Sequence, residues 1–398
     1  MGAILEGTVT RAADKLRVSA RLTRTADRLE IWSDAFVRPA NDVFAVQNEL
    51  GKAIVAALTP SIGARKAIVS ADTSRGTNDP VAYDLYLRAR HAWELRGLDN
   101  IRQSVVLFEE AARKDPDFAR AHAGVALAKT LLADNVPQPE STIMDEIERS
   151  AFRAIALDFS LSEPHQALGF AYGNTGRFAR AIAEFTRAIA LDPRAPTAHL
   201  WFGVVLRRLG RPDEVLRETA RAAQLDPLSG IVIANYANSL RTAGRRDEAF
   251  ASMRRALELM PAYAGVRREA AWMHSGFNQS QVALAQLDTG AQLSGFSLGL
   301  WRPEIRVAAL LQLGDTASAR AFLSRRDILE AYQGVHGPQI ADAFAALGDR
   351  DRALSALLSA WNWGLSSAAV YEADPTWAPF RNDLRFKRMM QVLRERDR

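Results

Sequence analysis

The short motif with the clearest chemical precedent is Gly295-Phe-Ser297-Leu-Gly299, which has the G-x-S-x-G spacing of a hydrolase nucleophile elbow. That elbow needs a strand before the serine and a helix after it, so that a strained turn exposes the hydroxyl. Here a helical segment, Val282 to Leu293, precedes the motif, and no base partner for Ser297 is evident. We therefore interpret the motif as a loop. Cleavage of an activated ester that is abolished by Ser297→Ala would favour a serine hydrolase instead.

Three of the six histidines occupy the same position in successive repeat units, near the start of the first predicted helix of each unit. They are His122, His165 and His199. Residues in that arrangement lie about 10 Å apart, the distance between packed helices. A single metal ion binds its ligands at about 2 Å, so it cannot reach all three. We predict a packing role and no metal site. Loss of zinc or nickel binding on replacing all three would contradict this prediction.

Cofactor-binding loops are also not predicted. The glycines between Gly169 and Gly176 lack both G-x-G-x-x-G spacing and a GK[ST] ending, so they do not form a nucleotide-binding loop. The chain has no cysteine, which excludes disulfides, thiolate zinc sites, iron–sulfur clusters and a cysteine nucleophile. We expect no cofactor.

Composition and charge favour a folded protein that binds neither nucleic acid nor membranes. Of the 398 residues, 48% are hydrophobic and 24% charged, as in ordinary globular proteins. The net charge is +5, but residues 381–398 alone hold seven basic and three acidic side chains, so there is no basic domain. A secretory signal and a long apolar run are both absent, so the expected location is cytoplasmic.

The elements that would position these residues repeat with a period of about 34 residues. Gly176, Gly210 and Gly244 are spaced by this period. Three prolines and two sets of small residues recur at the same spacing. Glycine allows a left-handed turn between helices, and proline cannot continue a helix interior. Small side chains at fixed positions allow two helices to pack closely. The period therefore predicts helix hairpins.

One unit, Ser162 to Ala195, carries the full pattern and resembles the tetratricopeptide repeat. Its first helix contains Leu-Gly followed by an aromatic residue, its second contains Ala, an aromatic residue and Ala, and a proline follows. Looser copies follow downstream. The signature positions are Leu168, Gly169, Tyr172, Gly176, Ala181, Phe185, Ala188, Pro193, Gly203, Gly210, Pro227, Gly244, Ala249 and Pro261.

This resemblance implies a mainly α fold, a right-handed solenoid of helix hairpins. Residues 80–361 are expected to form about seven hairpins, with a loop inserted at Asn135 to Thr142. Residues 362–398, rich in tryptophan and phenylalanine, are expected to cap the apolar end of the stack.

The resemblance also implies where a ligand would bind. In tetratricopeptide proteins the first helix of each hairpin lines the inner, concave surface. The positions that contact ligands in the family hold polar residues here: Gln166, Asn174, Arg207, Arg208, Asn238, Arg241 and Arg268. Arginine and asparagine can bind the carboxylates and main chain of a peptide. An equally open alternative is that these are ordinary solvated side chains.

Residues 1–66 differ from the array. Leu16, Val18, Ala20 and Leu22 alternate with polar residues, which predicts a half-buried strand. Two flanking strands are expected, Ile4 to Thr10 and Leu29 to Phe36, then a helix capped at Asn41-Asp42 with Val43, Val46, Leu50, Ile54 and Leu58 on one face. Residues 67–79 are turn-rich, which indicates a linker.

The segments ILEGTVTRAADKLRVSARL, IWSDAF and DVFAVQNEL resemble the second half of the TolB-like α+β domain that precedes tetratricopeptide arrays in bacterial regulators. Such domains have a further strand and helices before this point. The resemblance therefore implies that Met1 is a late start, or that the chain is part of a longer regulator.

The resulting functional hypothesis is a non-catalytic interaction scaffold, the partner-binding or sensory part of a bacterial signalling regulator. Its partner would be a protein or peptide with acidic character. In the family such arrays follow winged-helix or class III adenylate cyclase domains, so the alternative is a fragment of either protein without its effector domain. RNA binding by a helical-repeat code is disfavoured, because the period of pentatricopeptide arrays is one residue longer.

Overall fold

The computed structural model describes residues 3–39, 49, 50, 53, 56, 76–135, 142–294, 302–326, 328, 337–360 and 365–397. These residues divide into two compact units, Met1–Asp84 and Leu85–Arg398. The division falls just inside the first helix of the array rather than at the predicted residue 80. The Ser297 motif and most of the helix predicted after Asn41 lie outside the described residues.

The first unit contains a three-stranded antiparallel sheet, β1 (Ala3–Ala12), β2 (Lys15–Arg24) and β3 (Glu30–Pro39), in the order β1-β2-β3. Val18 of the central strand pairs with Val9 on one side and with Phe36 on the other. Val18, Ala20 and Leu22 are buried, so the predicted alternation along β2 is confirmed.

The second unit is a stack of helix hairpins, which confirms the mainly α fold. In chain order its helices are α1 (Pro80–Leu95), α2 (Leu98–Lys114), α3 (Ala119–Asn135), α4 (Ile143–Leu157), α5 (Glu163–Asn174), α6 (Phe178–Leu191), α7 (Pro196–Arg208), α8 (Pro212–Leu225), α9 (Gly230–Thr242), α10 (Arg246–Leu259), α11 (Ala264–Gly276), α12 (Ser280–Ser294), α13 (Pro303–Gln312), α14 (Thr316–Leu323), α15 (Gly337–Ala346), α16 (Arg350–Ser359), α17 (Ala368–Ala373) and α18 (Leu384–Asp397).

Helices α1 to α16 pair consecutively, so the described residues contain eight hairpins, one more than predicted. The spacing of first helices departs from 34 residues before α5 and again between α11 and α13, whereas α13 and α15 begin at residues 303 and 337, again 34 residues apart.

The predicted turn between the two helices of a hairpin is confirmed by its backbone conformation. Gly176, Gly210 and Gly244 have φ between 71° and 74°, the left-handed region that glycine adopts without strain. Asn278 occupies the same slot in a later hairpin with φ 56°, and asparagine is the residue that best tolerates this conformation after glycine.

The small residues of the signature mark the contact between the two helices. A Cβ atom on Gly169 would lie 2.9 Å from the ring of Phe185, closer than carbon atoms approach. A Cβ atom on Gly203 would lie 3.0 Å from Thr219. Ala181 and the other signature alanines, Ala188 and Ala249, are fully buried. Larger side chains would push the helices apart.

The signature prolines lie in the exposed loops between hairpins, where they end α6, α8 and α10. Their carbonyl oxygens hydrogen-bond to the following hairpin. The pairs are Pro193 with His199 (3.2 Å), Pro227 with Arg255 (3.1 Å) and Pro261 with Arg267 (3.0 Å).

After the last hairpin, α17, a 3₁₀ helix (Pro375–Phe380) and α18 pack against α15 and α16. Trp377 is fully buried, and its ring stacks on Phe386 at 5.6 Å. Its indole nitrogen donates a hydrogen bond to Asp342 of α15 at 2.9 Å. These apolar residues share one buried cluster with residues of α13 to α16.

The same C-terminal segment also contacts the third and fourth hairpins, far away along the chain. The backbone N–H of Ser367 donates to the carbonyl oxygen of Arg208 at 2.8 Å. The guanidinium of Arg396 lies 4.9 Å above the ring of Phe178. A stack of repeats normally has contacts between neighbours only. This segment therefore holds together parts of the array that the repeat pattern does not connect.

In the described part of the chain, no helix is both long enough and apolar enough to cross a membrane.

The turn position at Gly244 allows a test of the left-handed turn between the two helices of a hairpin. A Cβ atom on Gly244 would have nothing within 4 Å, so Gly244→Ala changes only the backbone preference. We expect it to lower the free energy of unfolding by about 1 to 2 kcal/mol, measured by urea denaturation. Gly244→Asn is the matched control, because Asn278 occupies the equivalent turn position. Its free energy of unfolding should fall by less than that of Gly244→Ala. Equal losses would contradict this account of the turn.

Candidate ligand-binding site

Four of the predicted inner-face arginines lie on the first helices of successive hairpins, and two of them meet at one tryptophan. The guanidinium carbons of Arg207 on α7 and Arg241 on α9 lie 4.7 and 4.8 Å from the ring centre of Trp272 on α11. A third arginine, Arg302, lies 5.4 Å from the same ring. We call Arg207, Arg241, Trp272 and Arg302 the Trp272 cluster. An aromatic face attracts cations, so the ring holds the three groups together.

A buried carboxylate partly balances this positive charge. Glu269 is only 5% exposed, and one of its oxygens accepts a hydrogen bond from the Asn238 amide at 3.0 Å. Its other oxygen lies 3.4 Å from Nε of Arg268. Glu269 also attracts Arg207 and Arg241. Asn238 and Arg268, both predicted to contact a ligand, therefore position Glu269 within the protein.

The arginines of the cluster are partly removed from water. Burial, together with repulsion from Arg302 and Arg241, lowers the pKa of Arg207 to about 10, although Glu269 opposes the shift. Burial also lowers the pKa values of Arg208 and Arg241. The buried Nε atom of Arg241 has no hydrogen-bond partner among the described residues. The site thus concentrates positive charge that its own carboxylates do not fully balance.

The other predicted residues border this cluster or lie apart from it. The Asn174 amide lies 3.4 Å from Asp134, and Arg208 donates to the carbonyl oxygen of Gly173 at 3.3 Å. Gln166 is 4% exposed and donates to the hydroxyl of Ser162 at 2.9 Å. The structure brings Arg207, Arg208, Arg241 and Arg268 into one electrostatic group and leaves Gln166 outside it.

Gln166 lines a separate cavity of about 540 Å³ between α1, α3, α5, α7 and α9. Its wall includes Trp93, whose ring meets Trp201 edge-on at 6.5 Å, and Trp201 stacks on Phe170 at 4.7 Å. Arg96 lies 3.8 Å above Trp93, and burial lowers the pKa of this arginine. The rim carries both charges, so the cavity favours no single class of ligand.

Two of the three repeated histidines pair with acidic residues of their own hairpins, whereas Nε2 of His122 lies 3.0 Å from the carbonyl oxygen of Pro116. Nδ1 of His165 lies 2.7 Å from Glu184, and Nδ1 of His199 lies 2.7 Å from Glu218. Within the described ranges, no three histidine, aspartate or glutamate side chains are grouped as metal ligands. In these two hairpins the histidine therefore joins the first helix to the second.

Three residues of this region, Trp272, Glu269 and Arg302, were not predicted from the sequence. Trp272 lies one period after Asn238, so it occupies an inner-face position, and applying the period once more would have found it. Glu269 lies one period after Asn235, which is not a predicted inner-face position. Arg302 lies outside the regular slots, and nothing in its sequence context points to the cluster.

A second acidic group lies near the cluster, at the interface with the C-terminal cap. Burial raises the pKa of Asp342 to about 8, although its hydrogen bond from Trp377 opposes the shift. Burial also raises the pKa of Glu304, whose carboxylate lies 2.5 Å from Arg302. Near neutral pH, Asp342 is therefore mostly protonated and does little to balance the arginines.

Comparison with known proteins matches part of the chain to a repeat family. Residues 167–230 match the tetratricopeptide repeat, in agreement with the hairpins α5 to α8. A protein of Rhizobium meliloti (strain 1021) named putative adenylate cyclase 3 is 32% identical over 172 residues. The match covers 42% of this chain and 28% of that protein, so the chain spans well under a third of its relative.

Solved structures that match part of the chain include a thermophilic tetratricopeptide protein and one other protein. The protein TTC0263 of Thermus thermophilus is 20% identical, with 48% of this chain and 97% of that chain covered and a TM-score of 0.39. Yeast Tom70 is 15% identical, with 79% and 68% covered and a TM-score of 0.42.

The balance of charge at the cluster predicts that Glu269 is stabilising. Glu269→Gln removes the carboxylate but keeps the hydrogen-bonding shape, leaving the arginines with less compensation. We expect the free energy of unfolding to fall by about 3 kcal/mol, measured by chemical denaturation. Glu248→Gln is the control, because Glu248 pairs with Arg245 at the exposed surface and should matter little. Similar losses in both variants would contradict the assigned role of Glu269.

The raised pKa of Asp342 predicts that the stability of the protein depends on pH. A carboxyl group whose pKa is raised by folding stabilises the protein below its unfolded pKa, and this contribution is lost as pH rises toward about 8. The loss approaches about 1.4 kcal/mol per pH unit. Asp342→Asn should therefore flatten the decline in stability between pH 5 and 8, measured by denaturation at each pH. Asp351→Asn, whose side chain is 85% exposed, should leave the decline unchanged.

Proposed function

We propose that this protein is a non-catalytic scaffold that binds a protein segment along the first helices of its hairpins. The observation that carries the proposal is the convergence of Arg207, Arg241 and Arg302 on Trp272. Grouping like charges at partly desolvated positions costs stability, which the Trp272 ring and Glu269 offset only in part. A bound anionic group would relieve their repulsion.

The chemistry of the cluster favours a partner with acidic character. A planar guanidinium can donate two parallel hydrogen bonds to a carboxylate, and such bonds strengthen as water is excluded. The Trp272 ring adds an apolar surface for the neighbouring part of the partner. Several successive first helices contribute residues, which suits an extended or helical segment.

We also propose that the chain is the sensory or partner-binding part of a longer bacterial signalling regulator that works in the cytoplasm. The resemblance of β1 to β3 to the second half of a TolB-like domain supports this, because such domains precede tetratricopeptide arrays in these regulators. The relative named putative adenylate cyclase 3 supports a class III cyclase as one effector, and a winged-helix domain is the alternative. The purified chain should itself lack cyclase activity.

The binding proposal is tested by reversing the charge of the inner face. In a pull-down from the native cell, wild type should retain partners that Arg207→Glu/Arg208→Glu/Arg241→Glu loses. The matched control reverses three exposed arginines on second helices, Arg187, Arg221 and Arg254, and should keep those partners. Because charge reversal at desolvated positions can unfold the array, the corresponding glutamine variants are compared after circular dichroism confirms their helix content. Identical partner sets in wild type and inner-face variants would refute the proposal.

A further inference from the structure

The positive charge around Trp272 exceeds what its neighbouring carboxylates balance. Among the described residues, the carboxylates that attract the arginines are Asp134, Glu269 and Glu304. Asp342 also faces Arg302, but its raised pKa keeps it mostly protonated. The surplus is two positive charges when Glu304 is ionised, and it grows when Glu304 takes up a proton. The guanidinium groups that interact within this region are those of Arg207, Arg208, Arg241, Arg268 and Arg302.

The surplus lies where a ligand can approach. The side chain of Arg302 is 27% exposed and that of Arg268 is 29% exposed, so solvent reaches the group. Arg207 and Arg241 are half-buried on neighbouring first helices. The three guanidinium carbons lie 4.7, 4.8 and 5.4 Å from the centre of one ring and belong to three different segments. A tetrahedral anion, whose oxygens point in several directions, can accept hydrogen bonds from groups on different segments, whereas the two oxygens of a carboxylate lie in one plane.

These two observations select the charge and shape of the ligand. A phosphate monoester carries about −1.5 to −2 charge at neutral pH and three strong acceptor oxygens. Its charge matches the surplus, and its oxygens can each face a different arginine. A carboxylate carries one negative charge and has two acceptor oxygens in one plane, so it leaves at least one guanidinium uncompensated.

Resting on the binding function proposed above, we infer that the Trp272 cluster recognises a phosphate monoester carried by the partner segment. Arg207, Arg241 and Arg302 donate hydrogen bonds to the phosphate oxygens, and Trp272 holds the three side chains in place. Glu269 keeps the unliganded site folded by balancing part of its charge. Phosphorylation of the partner would then switch its binding on.

The inference is tested by titration calorimetry on the full chain at constant ionic strength. The probes are a short neutral peptide with one central phosphoserine, the same peptide with glutamate or serine at that position, and inorganic phosphate. We expect the phosphoserine peptide to bind at least about tenfold more tightly than the glutamate peptide. Equal or tighter binding of the glutamate peptide would overturn the inference. Inorganic phosphate that bound as tightly as the phosphopeptide would overturn the assignment to a partner-borne group.

Variants locate the site. Arg241→Gln should weaken phosphopeptide binding about tenfold or more, and Arg241→Lys should weaken it less, because lysine keeps the charge. Arg254→Gln, at an exposed position on the outer helix α10, should have no effect. Equal affinity of wild type and Arg241→Gln would place the site elsewhere and overturn the inference. Should partners be lost with the inner-face variants while no phosphate probe binds, the scaffold function stands and the phosphate inference fails.

Discussion

The close packing of two helices in each hairpin is the constraint on which the rest of the structure depends. At Gly169 the helices approach so closely that even a methyl group would collide with Phe185. The equivalent position holds Gly203 and then the fully buried Ala237 and Ala271, so each hairpin repeats the orientation of the previous one. Side chains one period apart then face the same region. Arg207 and Arg241 are separated by one period, and for this reason both reach Trp272.

The parts of the fold that depend on local chemistry could be predicted from the sequence. Left-handed turns at Gly176, Gly210 and Gly244 follow from glycine's lack of a side chain, and the strand β2 follows from its alternating pattern. The prediction of hairpins was less accurate where the sequence departs from the repeat pattern. Asn278 takes the place of a turn glycine, and α13 begins more than one period after α11, so the outer hairpins carry a weaker sequence signal than the central ones.

The candidate site was predicted only in outline, because a repeat slot says which way a side chain faces but not what it meets. Asn238 occupies an inner-face slot, yet it is 1% exposed and its amide is used to hold Glu269. Trp272 contacts three arginines from different segments. These contacts depend on how successive hairpins pack, which the sequence of one repeat does not specify. The arginines keep their charge despite burial because the ring and Glu269 offset part of their lost hydration.

The contact between the C-terminal segment and the third and fourth hairpins changes how the array responds to force. A stack in which each repeat contacts only its neighbours can be extended and can unfold from either end. The Ser367 and Arg396 contacts act as a clasp across many repeats, so stretching the array must first break them. Loops closed between distant segments also make folding slower and more cooperative. A mechanical pull or a partner that releases the clasp would therefore soften the whole array at once.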